Sequence, residues 1–211
     1  MDEAKRRTAM DENYWDKIYQ AKSEKEVSWF QEVPMLSLEL ISEMNLSLDD
    51  NIIDIGGGDS RLVDHLLDKG HKNLTVVDIS AAALEKTRSR LGERSKDITF
   101  IVSDVTKFNP KESYKLWHDR ATFHFLTSIN DVEAYLNVAN KAVAPGGYLI
   151  VSTFSKTGPE KCSGLTISKY SDRDLKALFA RYFSNIRCFE DTHKTPWGSN
   201  QDFVYCGFKK R

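Results

Sequence analysis

Short apolar segments alternate along the chain with stretches in which apolar residues recur every three or four positions. The apolar segments are rich in Val, Ile and Phe, which is typical of buried strands. They predict seven strands, over residues 51–55, 74–78, 98–104, 114–119, 148–154, 186–192 and 202–208. The periodic stretches predict helices over residues 14–19, 35–44, 62–67, 81–91, 132–143 and 175–182.

This alternation predicts an α/β protein with a doubly wound, mostly parallel sheet of seven strands. The last two strands follow each other without an intervening helix, so we expect an antiparallel C-terminal edge. No linker rich in Pro, Gly or Ser interrupts the pattern, which indicates a single domain over residues 1–211. Within it, residues 1–34 form an aromatic helical segment and residues 35–211 form the core.

The aromatic segment allows two interpretations. Tyr14, Trp15 and Tyr19 share one helix face, and Trp29 follows shortly after. Such a face is expected either to pack on the core or to act as a lid over a ligand.

Composition excludes several classes of partner. The 211 residues hold 30 basic and 31 acidic side chains, so the net charge of −1 offers no field that would attract nucleic acid or an anionic membrane. No apolar run approaches the roughly 18–20 residues of a membrane-spanning helix. We therefore expect no nucleic-acid partner and no membrane insertion.

The cysteines and the N-terminal residues favour a cytoplasmic location. Cys162, Cys188 and Cys206 contain no CxxC pair, and any disulfide would leave one of them over, so we expect a reducing compartment. The N-terminal residues have no apolar segment typical of a secretory signal. The spacing of Cys and His residues predicts no metal site.

A glycine-rich turn follows the first strand at Gly56, Gly57 and Gly58. In a doubly wound sheet, ligands bind outside the carboxyl ends of the strands. Glycine lets the backbone approach a ligand closely, and the helix that begins near Ser60 offers free N–H groups. The alternative is a tight turn that binds nothing.

Three successive strands carry or end in an aspartate, at Asp54, Asp78 and Asp104. Asp78 lies at the position from which a carboxylate accepts hydrogen bonds from ribose hydroxyls, although it would also suit a helix N-cap. A nicotinamide-dependent oxidoreductase would need the spacing G-x-G-x-x-G, and Arg61 stands where its last glycine is required. Asp54 would moreover repel a pyrophosphate.

At these residues the chain resembles the class I S-adenosylmethionine-dependent methyltransferases. The first motif matches as Asp54, Gly56 and Gly58, with Ser60 in place of the last glycine. The resemblance implies a Rossmann-like methyltransferase fold and S-adenosyl-L-methionine as cofactor, with S-adenosyl-L-homocysteine as product. The cofactor-binding residues that it implies are Asp54, Gly56, Gly57, Gly58, Ser60, Asp78, Ile79, Asp104, Val105 and Asp119.

Methyl transfer from a sulfonium is an in-line displacement that depends mainly on alignment and needs no metal. We expect Asp119 and Arg120 to flank the transfer site and His124 to serve as a base, unless His124 packs on the following helix. Candidate acceptor-binding residues are Trp15, Trp29, Phe123, His124, Phe154, His193 and Trp197. A small-molecule acceptor is favoured, with a protein lysine as the alternative; an oxidoreductase or a non-catalytic binding module remains less favoured.

Overall fold

The structure of the protein is a computed structural model that describes residues 11–211. The first ten residues of the predicted aromatic segment lie outside the described residues. The helices are α1 (Glu12–Ala21), α2 (Met35–Glu43), α3 (Leu62–Asp68), α4 (Ala81–Leu91), α5 (Ile129–Ala142) and α6 (Asp172–Phe179). The strands are β1 (Ile52–Ile55), β2 (Leu74–Asp78), β3 (Ile98–Val102), β4 (Tyr114–Arg120), β5 (Val143–Phe154), β6 (Lys161–Cys162), β7 (Leu165–Thr166), β8 (Phe183–Lys194) and β9 (Asn200–Lys210).

Seven of these strands form one sheet in the order β3-β2-β1-β4-β5-β9-β8. The first five strands of that order pair in parallel, whereas β9 is antiparallel to both β5 and β8. The predicted sheet is therefore confirmed. The last strand lies one position inside the edge, because residues 203–208 of β9 are buried throughout while most of β8 is exposed.

Helices cover both faces of the sheet and bury two apolar layers. One layer joins α5 and α6 to the sheet around Trp117, Tyr135 and Phe179. The other joins α2, α3 and α4 around Leu40 and Leu66. The two layers keep the sheet rigid, so the loops at its carboxyl edge are held at fixed positions.

Serine side chains set where three of the helices begin. Ser80, Ser128 and Ser171 each accept a hydrogen bond from the backbone N–H three residues further on. A cap of this kind contributes about 1 kcal/mol. The caps place the starts of α5 and α6 three residues before the predicted starts. The small hairpin of β6 and β7 was not predicted, since two-residue strands carry no periodic signal.

The structure corrects the prediction for the cysteines. Cys188 on β8 lies directly opposite Cys206 on β9, and the two form a disulfide. The spacing between them gave no sign of this pairing, which depends on the register of two strands. Cys162 is free and buried. The cytoplasmic location stays a prediction.

Candidate active site

A cavity of about 710 Å³ lies at the carboxyl ends of β1, β2 and β4, where ligands bind in doubly wound sheets. Predicted cofactor residues in its wall are Gly56, Asp78, Ile79, Asp104 and Val105. Side chains from the aromatic segment and from the loop after β4 complete the wall.

Asp78 is buried at the end of β2 and faces this cavity. Burial raises the pKa of its carboxyl to about 7, although the backbone N–H of Ser80 donates to it over 2.8 Å. The nearby charges of Asp59 and Asp54 contribute to this rise. Ser80 itself caps α4, so capping does not depend on Asp78. A carboxyl with a raised pKa in a cleft is typical of a functional site.

Asp104 and Val105 form the far wall of the cavity. The Asp104 carboxylate accepts hydrogen bonds from the backbone N–H and the hydroxyl of Thr106, and so begins the helical turn Val105–Lys107. The turn holds the buried Val105 side chain against the cavity. An acidic group beside an apolar surface suits a ring that carries an amino group.

The glycine turn closes the near side of the cavity. Gly56 has a φ of +62°, and a Cβ there would lie 1.8 Å from the Oγ1 of Thr122. Gly58 has a φ of +43°, and a Cβ there would lie 2.9 Å from the hydroxyl oxygen of Tyr19. Both positions combine the left-handed backbone region with close neighbours, which only glycine accommodates. Gly58 belongs to the turn but does not line the cavity.

A smaller cavity of about 290 Å³ lies on the other side of the turn. Asp54, Gly57 and Ser60 line it, as predicted cofactor residues. The Asp54 carboxylate lies 2.7 Å from Nδ1 of His118, and Nε2 of that ring lies 2.9 Å from the Ser37 hydroxyl. His118 is buried within β4. One oxygen of Asp54 is thus already engaged by the protein.

The aromatic segment both packs on the core and lines the larger cavity. Trp15 and Trp29 lie edge to face at 6.1 Å, and Trp15 meets Phe125 at 5.1 Å. The Asp16 carboxylate accepts hydrogen bonds from the start of α4, and the Tyr14 hydroxyl donates to the carbonyl of Ser163. These contacts hold the segment over the cavity mouth, so the two interpretations of its sequence are compatible.

Asp119 does not line either cavity, contrary to the prediction for it. Its carboxylate is buried and accepts hydrogen bonds from the N–H groups of Thr122 and Phe123 and from the Tyr135 hydroxyl. Burial raises its pKa to about 6 despite these donors. Asp119 therefore fixes the loop after β4 through hydrogen bonds inside the protein and does not contact a ligand.

We expect Tyr135→Phe to lower the free energy of unfolding by about 2 kcal/mol, measured by urea denaturation. The lost hydroxyl accepts from Nε1 of Trp117 and donates to Oδ2 of Asp119, so the indole N–H and this one carboxylate oxygen would lose their partner inside the protein. Tyr182→Phe is the matched control, since its exposed hydroxyl donates only to Asn137. Equal losses in the two variants would contradict the structural role given to Tyr135.

His124 is also absent from the cavity walls. Its ring is fully buried and stacks on Phe154 at 4.5 Å, with no hydrogen-bond partner at either ring nitrogen. Burial, with a smaller contribution from the positive charge of Arg120, lowers its pKa to about 3. The ring is neutral and out of reach of a ligand, so the structure does not support His124 as a base.

Three other predicted acceptor residues lie away from the cavity. Phe123 and Phe154 are fully buried core residues. Trp197 is 58% exposed in the turn between β8 and β9. The rings of Phe123 and Phe154 fill the two apolar layers, and alternation along a strand or turn does not reveal which way a ring points.

His193 contributes by tethering the aromatic segment. Nε2 of its ring lies 2.7 Å from the carbonyl of Ser28, and Nδ1 lies 3.4 Å from the Gln31 amide. These bonds connect the segment after α1 to β8. His193 thus supports the cavity without lining it.

Arg120 lines both cavities, as the prediction for the transfer site requires. It ends β4, and its guanidinium donates to the carbonyl of Trp29 over 2.9 Å. The positively charged group therefore lies between the loop after β4 and the aromatic segment.

Sequence reasoning missed several cavity residues. Tyr19, Ser103, Thr122, Phe125 and Cys162 line the larger cavity. Tyr19 carried a signal, since it shares a helix face with Trp15. Cys162 carried none, and burial raises the pKa of its thiol to about 12, which keeps it protonated.

The fold and the site together define a class of protein. A doubly wound sheet whose glycine turn and strand-end aspartates face one cavity is typical of proteins that bind a nucleoside-containing ligand. Residues 52–147 match a family model described as a methyltransferase domain. This match and the fold make the chain similar to the class I S-adenosylmethionine-dependent methyltransferases.

Curated relatives and solved structures agree with this family. Malonyl-[acyl-carrier protein] O-methyltransferase 2 of Ilyobacter polytropus is 26% identical over 133 residues, which are 60% of this chain and 50% of that protein. The eEF1A lysine and N-terminal methyltransferase of Danio rerio is 25% identical over 68% of this chain and 21% of its own length. The chain thus spans half or less of these relatives.

The fold likeness extends over almost the whole chain. The N-methyltransferase NodS from Bradyrhizobium japonicum, solved in complex with S-adenosyl-L-homocysteine, superposes with a TM-score of 0.69 at 15% identity. The match covers 95% of this chain and 99% of that one. At this identity the likeness establishes the fold. Among residues 11–211, no helix is long and apolar enough to cross a membrane.

Proposed function

We propose that the protein transfers a methyl group from S-adenosyl-L-methionine to a small-molecule acceptor. The observation that carries this proposal is the position of the buried Asp78 carboxyl in the larger cavity, between the glycine turn and the apolar side chains of Ile79 and Val105. These are the groups that a nucleoside with a free ribose requires.

The cavity residues fit the cofactor part by part. Asp78 would accept hydrogen bonds from the ribose hydroxyls, and Ile79 and Val105 would contact the adenine faces with Asp104 near the amino group. The methionine end would lie by the glycine turn, next to Asp54. When bound, the cofactor supplies an activated methyl group, and the protein's task is to align an acceptor with it and to exclude water.

A small acceptor is favoured over a protein lysine because the aromatic segment covers the cavity. Trp15, Tyr19 and Trp29 restrict its mouth and make the walls largely apolar. A lysine on a protein surface would also bring an ammonium close to the Arg120 guanidinium. One relative is named for a malonyl group on an acyl-carrier protein and another for a lysine of eEF1A, so relatives of the chain are named for different kinds of acceptor.

The test is a calorimetric titration with S-adenosyl-L-homocysteine and, separately, with NAD. We expect saturable binding of the first and no heat from the second. Transfer of label from methyl-labelled cofactor into a pool of small metabolites, and not into protein, would then support the acceptor class. Binding of NAD alone would overturn the proposal, and label in protein would favour the lysine alternative.

We expect the affinity for S-adenosyl-L-homocysteine to fall as the pH is lowered through about 7. The ribose hydroxyls donate to an ionised carboxylate, and the pKa of Asp78 in the free protein is about 7. Protonation below that pH therefore competes with binding, by about tenfold per pH unit at the limit. Calorimetry between about pH 6 and pH 8 measures the effect.

Asp78→Asn is the matched variant for this prediction. It keeps the shape of the side chain, so we expect weaker binding, by about tenfold at pH 8, and a flat pH profile. Glu93→Gln changes an exposed carboxylate on the surface and should leave both the affinity and the profile unaltered. A pH-dependent affinity that persists in Asp78→Asn would remove Asp78 from the ribose site.

A further inference from the structure

Arg120 occupies the border between the cofactor side and the remaining side of the cavity. It is half-buried at the end of β4, where it pairs with Ser152 of β5. The cofactor side is built by β1, β2 and β3, whereas β5, β9 and β8 lie on the other side of β4. The guanidinium therefore sits where an acceptor would enter next to the cofactor.

The charge of Arg120 has no carboxylate partner within residues 11–211. Its hydrogen bond goes to the Trp29 carbonyl, and no Asp or Glu oxygen of the described residues lies within 4.0 Å. Arg61 and Arg90, by comparison, form ion pairs with Glu24 and Asp64. A half-buried guanidinium without a carboxylate partner is available to bind an anionic group of a ligand.

The positive charge of Arg120 affects the pKa of a histidine on the acceptor side. Burial lowers the pKa of His193 on β8, and the positive charge of Arg120 adds to this lowering. The acidic cavity residues Asp54, Asp78 and Asp104 all lie on the cofactor side, on or next to β1, β2 and β3. The acceptor side is thus the more positive of the two.

Aromatic rings border the guanidinium. Trp15, Trp29 and Phe125 line the same cavity, and Trp15 lies edge to face with each of the other two. Their rings provide apolar walls in a cavity that also contains this cation. The combination suits a ligand with an apolar body and one anionic end.

We propose that Arg120 selects a small acceptor that carries a carboxylate, with an apolar body held by Trp15, Trp29 and Phe125. This inference rests on the proposed methyl transfer and names the substrate class of the same site. The guanidinium forms two parallel hydrogen bonds to a carboxylate, which gives orientation as well as affinity. The methionine carboxylate of the cofactor is the other source of this chemistry, and the experiment separates the two.

The test uses three ring compounds of one size that differ in charge: benzoate, benzamide and benzylamine. Each is titrated into protein saturated with S-adenosyl-L-homocysteine, with indole fluorescence as the readout because Trp15 and Trp29 line the cavity. We expect benzoate to bind at least tenfold more tightly than the other two. Arg120→Met should abolish this preference, and Arg120→Lys should keep part of it, which also guards against a general loss of fold.

A second titration determines whether Arg120 binds the carboxylate of the acceptor or that of the cofactor. Arg120→Met should bind S-adenosyl-L-homocysteine with an affinity within about threefold of that of the unaltered protein. The two proteins should also bind 5′-methylthioadenosine, which lacks the amino-acid end, with equal affinity. The inference is overturned if benzoate fails to bind or shows no preference. It is also overturned if Arg120→Met loses the homocysteine compound selectively, since Arg120 would then hold the cofactor. Failure of the unaltered protein to bind S-adenosyl-L-homocysteine would instead refute the proposed function.

Discussion

Gly56→Ala is expected to lower the free energy of unfolding by about 2–4 kcal/mol. The φ of +62° makes any L side chain strained, at a cost of about 1 kcal/mol. The added methyl would also lie 1.8 Å from Oγ1, 2.9 Å from Cβ and 3.2 Å from Cγ2 of Thr122, so rotation of the threonine side chain gives no relief. Overpacking of this kind costs roughly 1–3 kcal/mol. Urea denaturation measures the change.

Gly146→Ala separates the two contributions. Gly146 has a φ of +67°, yet a Cβ there would meet nothing within 4 Å. The loss in that variant should stay near 1 kcal/mol, which is the cost of backbone strain alone. If the two alanine variants lose the same stability, crowding against Thr122 has no part in the requirement for Gly56.

A double variant tests the contact directly. Thr122→Ala removes Oγ1 and Cγ2, which lie 1.8 Å and 3.2 Å from the added methyl, so it should recover part of the stability that Gly56→Ala loses. Residues in contact give interaction energies of about 0.5–3 kcal/mol in such cycles. Additive losses would show that the turn and the loop after β4 do not depend on each other.

The sheet and its acidic strand ends were predictable because they follow from local pattern and general topology. Apolar runs marked β1, β2 and β3, and the carboxyl ends of parallel strands meet at one edge. Asp78 and Asp104 were therefore expected to face a common cavity, as they do. Nothing beyond strand order was required for that inference.

The rest of the site depends on register and on side-chain direction, which the sequence does not reveal. Asp54 meets His118 only because β1 pairs with β4 in the register that sets these two residues side by side. In the turn Phe123–Phe125, the middle ring enters the core and the last one reaches the cavity. A one-turn helix has too few residues for a periodic signal, so His124 and Phe125 were indistinguishable.

The correction of His124 changes how catalysis is understood. With His124 buried and Asp119 engaged by the loop, Arg120 alone among the predicted catalytic residues lines the cavity. None of these three positions supplies a base, so the displacement depends on the alignment of the acceptor atom with the methyl group.

His118→Ala is expected to lower the free energy of unfolding by about 3 kcal/mol. The imidazole joins the Asp54 carboxylate to the Ser37 hydroxyl, and both partners are buried. Its removal leaves a carboxylate and a hydroxyl without their partner and opens a gap between β4 and α2. Because Asp54 also lines the smaller cavity, affinity for S-adenosyl-L-homocysteine should fall as well.

His65→Ala is the matched control for this prediction. Its ring makes one bond, from Nε2 to the carbonyl of Glu32, in an exposed position, so the loss should stay below about 0.5 kcal/mol. His118→Gln restores a polar group of intermediate reach and should recover part of the stability, since it can still donate to Asp54. Comparable losses for His118→Ala and His65→Ala would mean that the Asp54–His118–Ser37 chain does not stabilise the fold. The histidine would then matter for the cavity alone, and its effect would appear only in the affinity for the cofactor product.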